Sequence, residues 1–151
     1  AVNFNSPGQV VIAGTKTAAT RAGELCKEAG AKRALPLAVS VPSHCALMKP
    51  AADKLAEALQ NITLNQPLVP VINNVDVATE TDAEKIRDAL VRQLYSPVRW
   101  TETVEKMAKD GVTTLYEIGP GKVLTGLTSR IVKELLAKAV NDVESFEAVE
   151  A

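Results

Sequence analysis

Between residues 68 and 138 the chain alternates short apolar, β-prone runs with longer stretches of helical period, punctuated by Pro and Gly. This alternation constrains the fold more than any other feature. Successive strands joined by helices pair in parallel, because a parallel pair needs a long crossover. The pattern therefore predicts α/β layers with parallel strands. Pro67 to Asn73 carries Leu68, Val69, Val71 and Ile72, a continuous apolar run that predicts a strand covered on both faces. Thr81-Asp82-Ala83-Glu84 matches a capping box and opens a predicted helix over 82–94, with Ile86, Leu90 and Leu94 inward. Ser96-Pro97 reads as N-cap and first residue of the next helix, striped by Trp100, Val104, Met107 and Ala108 and ended by Gly111. A strand over Val112 to Ile118, a Gly119-Pro120-Gly121 turn and a periodic helix over 122–138 complete the series; the acidic tail from Asn141 is expected to fray.

The first part of the chain reads differently. Val2–Asn5 and Gln9–Ala13 are β-prone runs around Ser6-Pro7-Gly8, which is turn chemistry. Residues 16–29 show one apolar face (Ala18, Ala22, Leu25, Ala29) and end at Gly30, which predicts a helix with a glycine cap. Lys32 to Leu37 is short and β-like, so residues 1–38 read as part of a small α+β lobe. Val39 to Cys45 is an extended connector containing Pro42. Pro50 then suits a first helical turn, and the stripe Met48, Ala52, Leu55, Leu59, Ile62 predicts a helix to about Gln60. The chain begins at Ala1 on strand-like sequence without an initiator Met, which predicts a piece of a longer protein.

Composition narrows the function. Seventeen basic against eighteen acidic side chains give a net charge of −1, without the basic excess of a nucleic-acid binder. Mean hydropathy is +0.04, and no apolar run reaches the ~18 residues of a spanning helix. Nothing at the start resembles a secretory signal, so the cytoplasm is the expected compartment. Cys26 and Cys45 are too few for a disulfide framework and lack metal-site spacing. No metal or cofactor is expected.

His44 is the only histidine. It follows the Pro-containing connector just before a helix, where a neutral imidazole has the position of a general base towards a hydroxyl or thiol; a backbone-bonded structural histidine is the alternative. Cys45 beside it is better read as a small hydrophobe, since adjacent side chains diverge. Ser43 reads as a helix N-cap. Gln93 shares a helical face with Ile86, Ala89 and Leu90, so its amide turns inward and needs partners; it orients a functional group or ties the helix to a loop. Gly119-Pro120-Gly121-Lys122 is not a phosphate loop, because Tyr116 and Val123 stand at required positions. It reads as a turn, with an anion at the following helix N-terminus as the lesser alternative. Asn73, Asn74 and Asp76 end a predicted buried strand, where turn-forming residues and ligand contacts are both known uses. Glu102/Glu105 and Asp53/Glu57 fall on solvent faces, and no serine has the flanking glycines of a nucleophile elbow.

Five blocks in order resemble the C-terminal half of the bacterial malonyl-CoA:acyl carrier protein transacylases: Asn3 to Gly14, Val41 to Met48, Val69 to Asp76, Gln93 to Trp100 and Tyr116 to Lys122. The resemblance implies the latter half of a hydrolase-like three-layer α/β subdomain with parallel strands over residues 39–140. It also implies part of a small ferredoxin-like α+β lobe over 1–38. Residues 141–151 form the tail. It implies ping-pong transfer of malonyl from malonyl-CoA to the pantetheine thiol of acyl carrier protein. His44 matches the catalytic base, and Gln93 the residue whose main-chain carbonyl holds the other ring nitrogen. The family's serine elbow (Gly-His-Ser-Leu-Gly), oxyanion loop and malonate-gripping arginine belong to the N-terminal half and have no match here, so that missing half is an implied partner and the chain alone is expected to be inactive. A catalytically inert scaffold domain and a polyketide-type acyltransferase are the alternatives.

Overall fold

Pro7 and Gly8 reverse the chain at its start, with Gly8 at a φ of 77° that a side chain would strain. In the computed structural model, which describes residues 1–150, this turn joins β1 (Asn3–Ser6) to β2 (Gln9–Val11) in a two-stranded sheet. There follow α1 (Lys16–Glu28), a single 3-10 turn at Ala46–Met48, α2 (Lys49–Gln60), α3 (Ala83–Arg92), α4 (Trp100–Lys109), β3 (Thr114–Ile118), α5 (Val123–Ile131), β4 (Leu136–Val140) and α6 (Val143–Glu150). Two compact units result. One comprises Ala1–Asn3 and Val11–Val98; the other comprises Phe4–Val10 and the chain from Arg99 onward.

In the first unit, α1 is capped by Thr15, whose hydroxyl accepts from Ala18 N, and closes where Gly30 adopts a φ of 96°. Pro50 lies in the first turn of α2, where its missing N–H costs nothing. The helix buries Ala52 and Leu59, and packs beside α3, which buries Ala89. Arg87 of α3 reaches across to α2. Its Nη1 donates to the Leu59 carbonyl (2.7 Å), and both Nη atoms donate to that of Ile62 (3.0 and 2.7 Å). Leu59 lies in the last turn of α2 and its carbonyl also accepts from Ile62 N (3.2 Å), while Ile62 lies just beyond the helix; the guanidinium adds a charged donor to both carbonyls and complements the helix dipole.

The second unit is layered. β3 and β4 pair in parallel, with Thr114 opposite Leu136 and Ile118 opposite Val140, and α5 makes the crossover. Val104 of α4, Leu127 of α5, Leu135 and Val140 are its buried apolar residues. Gly111 closes α4 at a φ of 92°.

The sequence reading needs correction at several places. Residues 67–72 form no strand: Ile72 makes one bridge to Thr79, while Leu68, Val69 and Val71 are exposed, because no neighbouring strand among the described residues pairs with this run. Lys32 to Leu37 is likewise irregular. The helix predicted over 122–138 stops at Ile131; Val132 turns to an extended conformation and Leu136–Val140 joins β3 instead. The Leu-Ala-Lys-Ala-Val segment satisfies both a helical and an alternating pattern, and pairing decides. Asp82, not Thr81, caps α3, accepting from Glu84 N and Lys85 N. Ser96 and Ser43 cap nothing: α4 begins at Trp100 behind Arg99, and α2 begins behind Met48. The tail carries α6, stapled at its start by Asp142, which accepts from Ser145 N (2.8 Å). Among the described residues no helix is long and apolar enough to cross a membrane.

Candidate active site

His44 ends the Pro-containing connector and takes a φ of 61°, the left-handed region that a residue with a Cβ adopts only when its surroundings hold it there. Two successive carbonyls do the holding. The His44 backbone N–H donates to the Leu94 carbonyl (3.0 Å), and Nδ1 lies 2.8 Å from the Gln93 carbonyl oxygen. A carbonyl only accepts, so Nδ1 carries the proton, and in the neutral ring Nε2 is left with its lone pair. This is the tautomer a general base needs.

The carbonyls are available because Gln93 and Leu94 follow directly on α3, where the last C=O groups lack helical donors. The residue pattern pointed to the Gln93 amide; it is the main-chain oxygen that meets the imidazole. An open cavity of about 250 Å³ adjoins the ring, lined by Ser43, His44, Met48, Asn74, Gln93 and Leu94. Cys45 does not engage the imidazole, since its thiol donates to the Pro42 carbonyl (3.1 Å). Lys49, the first residue of α2, places Nζ 5.8 Å from the centre of the Tyr95 ring, a further tie between the His44 segment and the end of α3.

Asn73 and Asn74 divide the two roles open to them. Asn73 builds the turn: its Oδ1 accepts from Val75 N (3.1 Å) and Asp76 N (2.8 Å), and its Nδ2 donates to the Ala78 carbonyl (3.0 Å). Asn74 lines the cavity. Asp76 takes a two-pronged bridge from Arg92, with Nη1 to Oδ1 at 2.9 Å and Nη2 to Oδ2 at 2.7 Å, while Arg92 Nε donates to Asp88 at 2.6 Å. Hydrogen bonding to Asp76 and then Asp88 raises the guanidinium's proton affinity above its already high ordinary value. Sequence reasoning missed Arg92; its only signal was a basic residue in the last turn of a helix preceding Gln93.

The α5 N-terminus, the other candidate anion site, is already occupied by a side chain. The Glu117 carboxylate accepts from Leu124 N (3.1 Å), Thr125 N (2.7 Å) and the Thr125 hydroxyl (2.8 Å). Burial tends to raise the proton affinity of Glu117, but these bonds outweigh it and hold the carboxyl below the usual glutamate range. Glu102, Glu105, Asp53 and Glu57 are exposed. No cluster of His, Cys, Asp and Glu among the described residues has the geometry to hold a metal ion.

The site is thus an imidazole held at Nδ1 by a main-chain carbonyl and bordering a cavity, on a mixed α/β frame. The acyl transferase domain family matches residues 1–150, and the chain belongs to that family. It is 74% identical over 150 residues to the malonyl CoA-acyl carrier protein transacylase of Haemophilus influenzae, covering 99% of this chain and 48% of that protein. It matches the crystal structure of an acyl carrier protein S-malonyltransferase from Vibrio cholerae with a TM-score of 0.95 and 73% identity, covering 98% of this chain and 48% of that one. A malonyl-transacylase in complex with its type II polyketide synthase acyl-carrier protein matches with a TM-score of 0.96 and 70% identity, over 97% of this chain and 48% of that one. The chain thus spans about half the length of the curated relatives it matches.

Proposed function

We propose that this chain supplies the base-bearing part of a malonyl-CoA:acyl carrier protein transacylase acting in fatty-acid synthesis in the cytoplasm. The observation that carries the reading is the 2.8 Å contact between His44 Nδ1 and the Gln93 carbonyl, which leaves Nε2 free to move a proton. The nucleophilic serine, the oxyanion donors and the malonate-binding arginine come from sequence outside this chain, as in the family it resembles. His44 Nε2 takes the serine proton as the serine oxygen attacks the malonyl thioester. The tetrahedral intermediate expels the thiolate of coenzyme A, which receives that proton from the imidazolium. In the second half, Nε2 takes the proton of the carrier protein's pantetheine thiol. Its sulfur attacks the malonyl-serine ester, and the departing serine oxygen recovers the proton. Gln93, a neutral acceptor, replaces the carboxylate of a serine-protease triad, an exchange that thioesters with good leaving groups tolerate.

Malonyl-CoA and the carrier protein are substrates, and the chemistry calls for no cofactor. In this reading residues 1–38 are part of a small ferredoxin-like lobe, and residues 39–140 belong to the hydrolase-like subdomain. The test is malonyl transfer from labelled malonyl-CoA by the full-length protein carrying His44→Ala. Loss of a general base slows acylation by about 10²–10⁴-fold, whereas a near-parental rate removes His44 from the reaction. An unaltered full-length protein that forms no malonyl-enzyme supports an inert scaffold instead. The 151-residue chain by itself is expected to transfer nothing.

A further inference from the structure

We infer that the bridge between Arg92 and Asp76 is a positioning device for the His44 imidazole. Arg92 is the last residue of α3, and the next two carbonyls along the chain are the pair that hold His44, one on the ring and one on the backbone. A terminal helical turn frays unless something anchors it. Here the anchor is a guanidinium fixed on both sides, to Asp88 one turn earlier and to Asp76 across a loop.

The loop is itself rigid. The Asn73 side chain bonds the loop backbone at Val75, Asp76 and Ala78, Val77 N donates to the Asn73 carbonyl (3.1 Å), and Val77 is held at a φ of 54°. The same loop presents Asn74 to the cavity that His44 and Gln93 line. The bridge therefore ties two walls of one cavity together, and the imidazole is oriented by a carbonyl immediately beyond the tie. Planar two-pronged geometry fixes direction as well as distance, which a lysine at the same place does not supply. The consequence for turnover rests on the proposed role of His44; the positioning itself does not.

In a ¹⁵N-histidine-labelled full-length protein, the ring nitrogens of His44 are the signals lost in His44→Gln. Two-bond ¹H–¹⁵N correlation at a pH where the ring is neutral reads the tautomer directly. The parent is expected to be Nδ1-protonated. In Asp76→Asn and in Arg92→Lys, the ratio of Nδ1–H to Nε2–H should fall by up to about fivefold, the scale of one exposed ion pair. Asp88→Asn, which keeps the cross-loop bridge, should shift the ratio less than either bridge variant. Far-UV circular dichroism and thermal unfolding establish that each variant is folded, and should either bridge variant fail to fold, the other carries the comparison. Parental ratios in folded bridge variants overturn the inference, as does an equal shift in Asp88→Asn. In the full-length protein, Asp76→Asn should lower kcat while leaving KM for the thioester near parental. An active His44→Ala enzyme together with a shifted tautomer would refute the proposed function alone.

Discussion

Removing the Arg87 guanidinium with its stem kept, as in Arg87→Met, tests how the helix pair that frames the site is held. The side chain makes three contacts, of 2.7, 3.0 and 2.7 Å, to the Leu59 and Ile62 carbonyls at the end of α2. Hydrogen bonds to a charged group contribute about 1.5–3 kcal/mol net; the Leu59 carbonyl keeps its bond from Ile62 N, so the Ile62 carbonyl is the one left short of a donor. The Arg87 side chain is 21% exposed, so water does reach part of this site. Its ion pair with Glu84, a residue 82% exposed, contributes little. The expected loss is therefore about 2–3 kcal/mol, or about 5–10 °C in Tm for a chain of this size. Arg87→Lys keeps the charge but loses the fork, and should recover about half of the loss. Urea unfolding followed by circular dichroism measures both. A Met variant within about 0.5 kcal/mol of the parent, the range of ordinary surface changes, would refute the assignment of Arg87 as the cap of α2.

Glu117→Gln should destabilise the protein by about 1 kcal/mol at neutral pH, the usual value of a helix N-cap. Because folding lowers the proton affinity of this carboxyl, its contribution is complete above the ordinary glutamate pKa and is lost as pH falls through the lowered folded value. Urea midpoints of parent and variant should therefore converge in acid, and a gap that stays constant with pH would contradict the capping role. Val104→Ala empties a position with no solvent exposure in the α4–α5 layer and should cost about 2–3 kcal/mol in the same assay.

Much of the site was legible in the sequence, for identifiable reasons. His44 stood out because it is alone and follows a proline-bearing connector. The residue pattern by itself left it between a base and a structural histidine, and the resemblance of the ordered blocks around it implies the base. Helical phase marked Gln93 only as a position, and its main-chain carbonyl came from the family resemblance. Helical phase speaks of side chains, and the group that meets the imidazole is a backbone oxygen freed by the end of α3. Arg92 and Asp76 lie sixteen residues apart and carry no pattern linking them; only the folded loop puts them 2.7 Å apart.

The same division runs through the fold. Gly30 and Gly111 mark helix ends, Pro50 a helix start, and the stripes of α1, α2 and α4 their lengths, because these depend on φ restrictions and on a period set within a few residues. The sequence by itself determined those elements and the alternating α/β character. Whether Leu136–Val140 is helix or strand depended on β3 as a partner, and whether 67–72 is a strand depended on a neighbour to pair with. Tertiary structure also decided that Glu117 caps α5, that Arg87 closes α2, and that two carbonyls clamp His44. In each case a backbone group at or just beyond a helix end found a partner in a distant part of the chain or in an adjoining element, and no local pattern encodes where that partner will be.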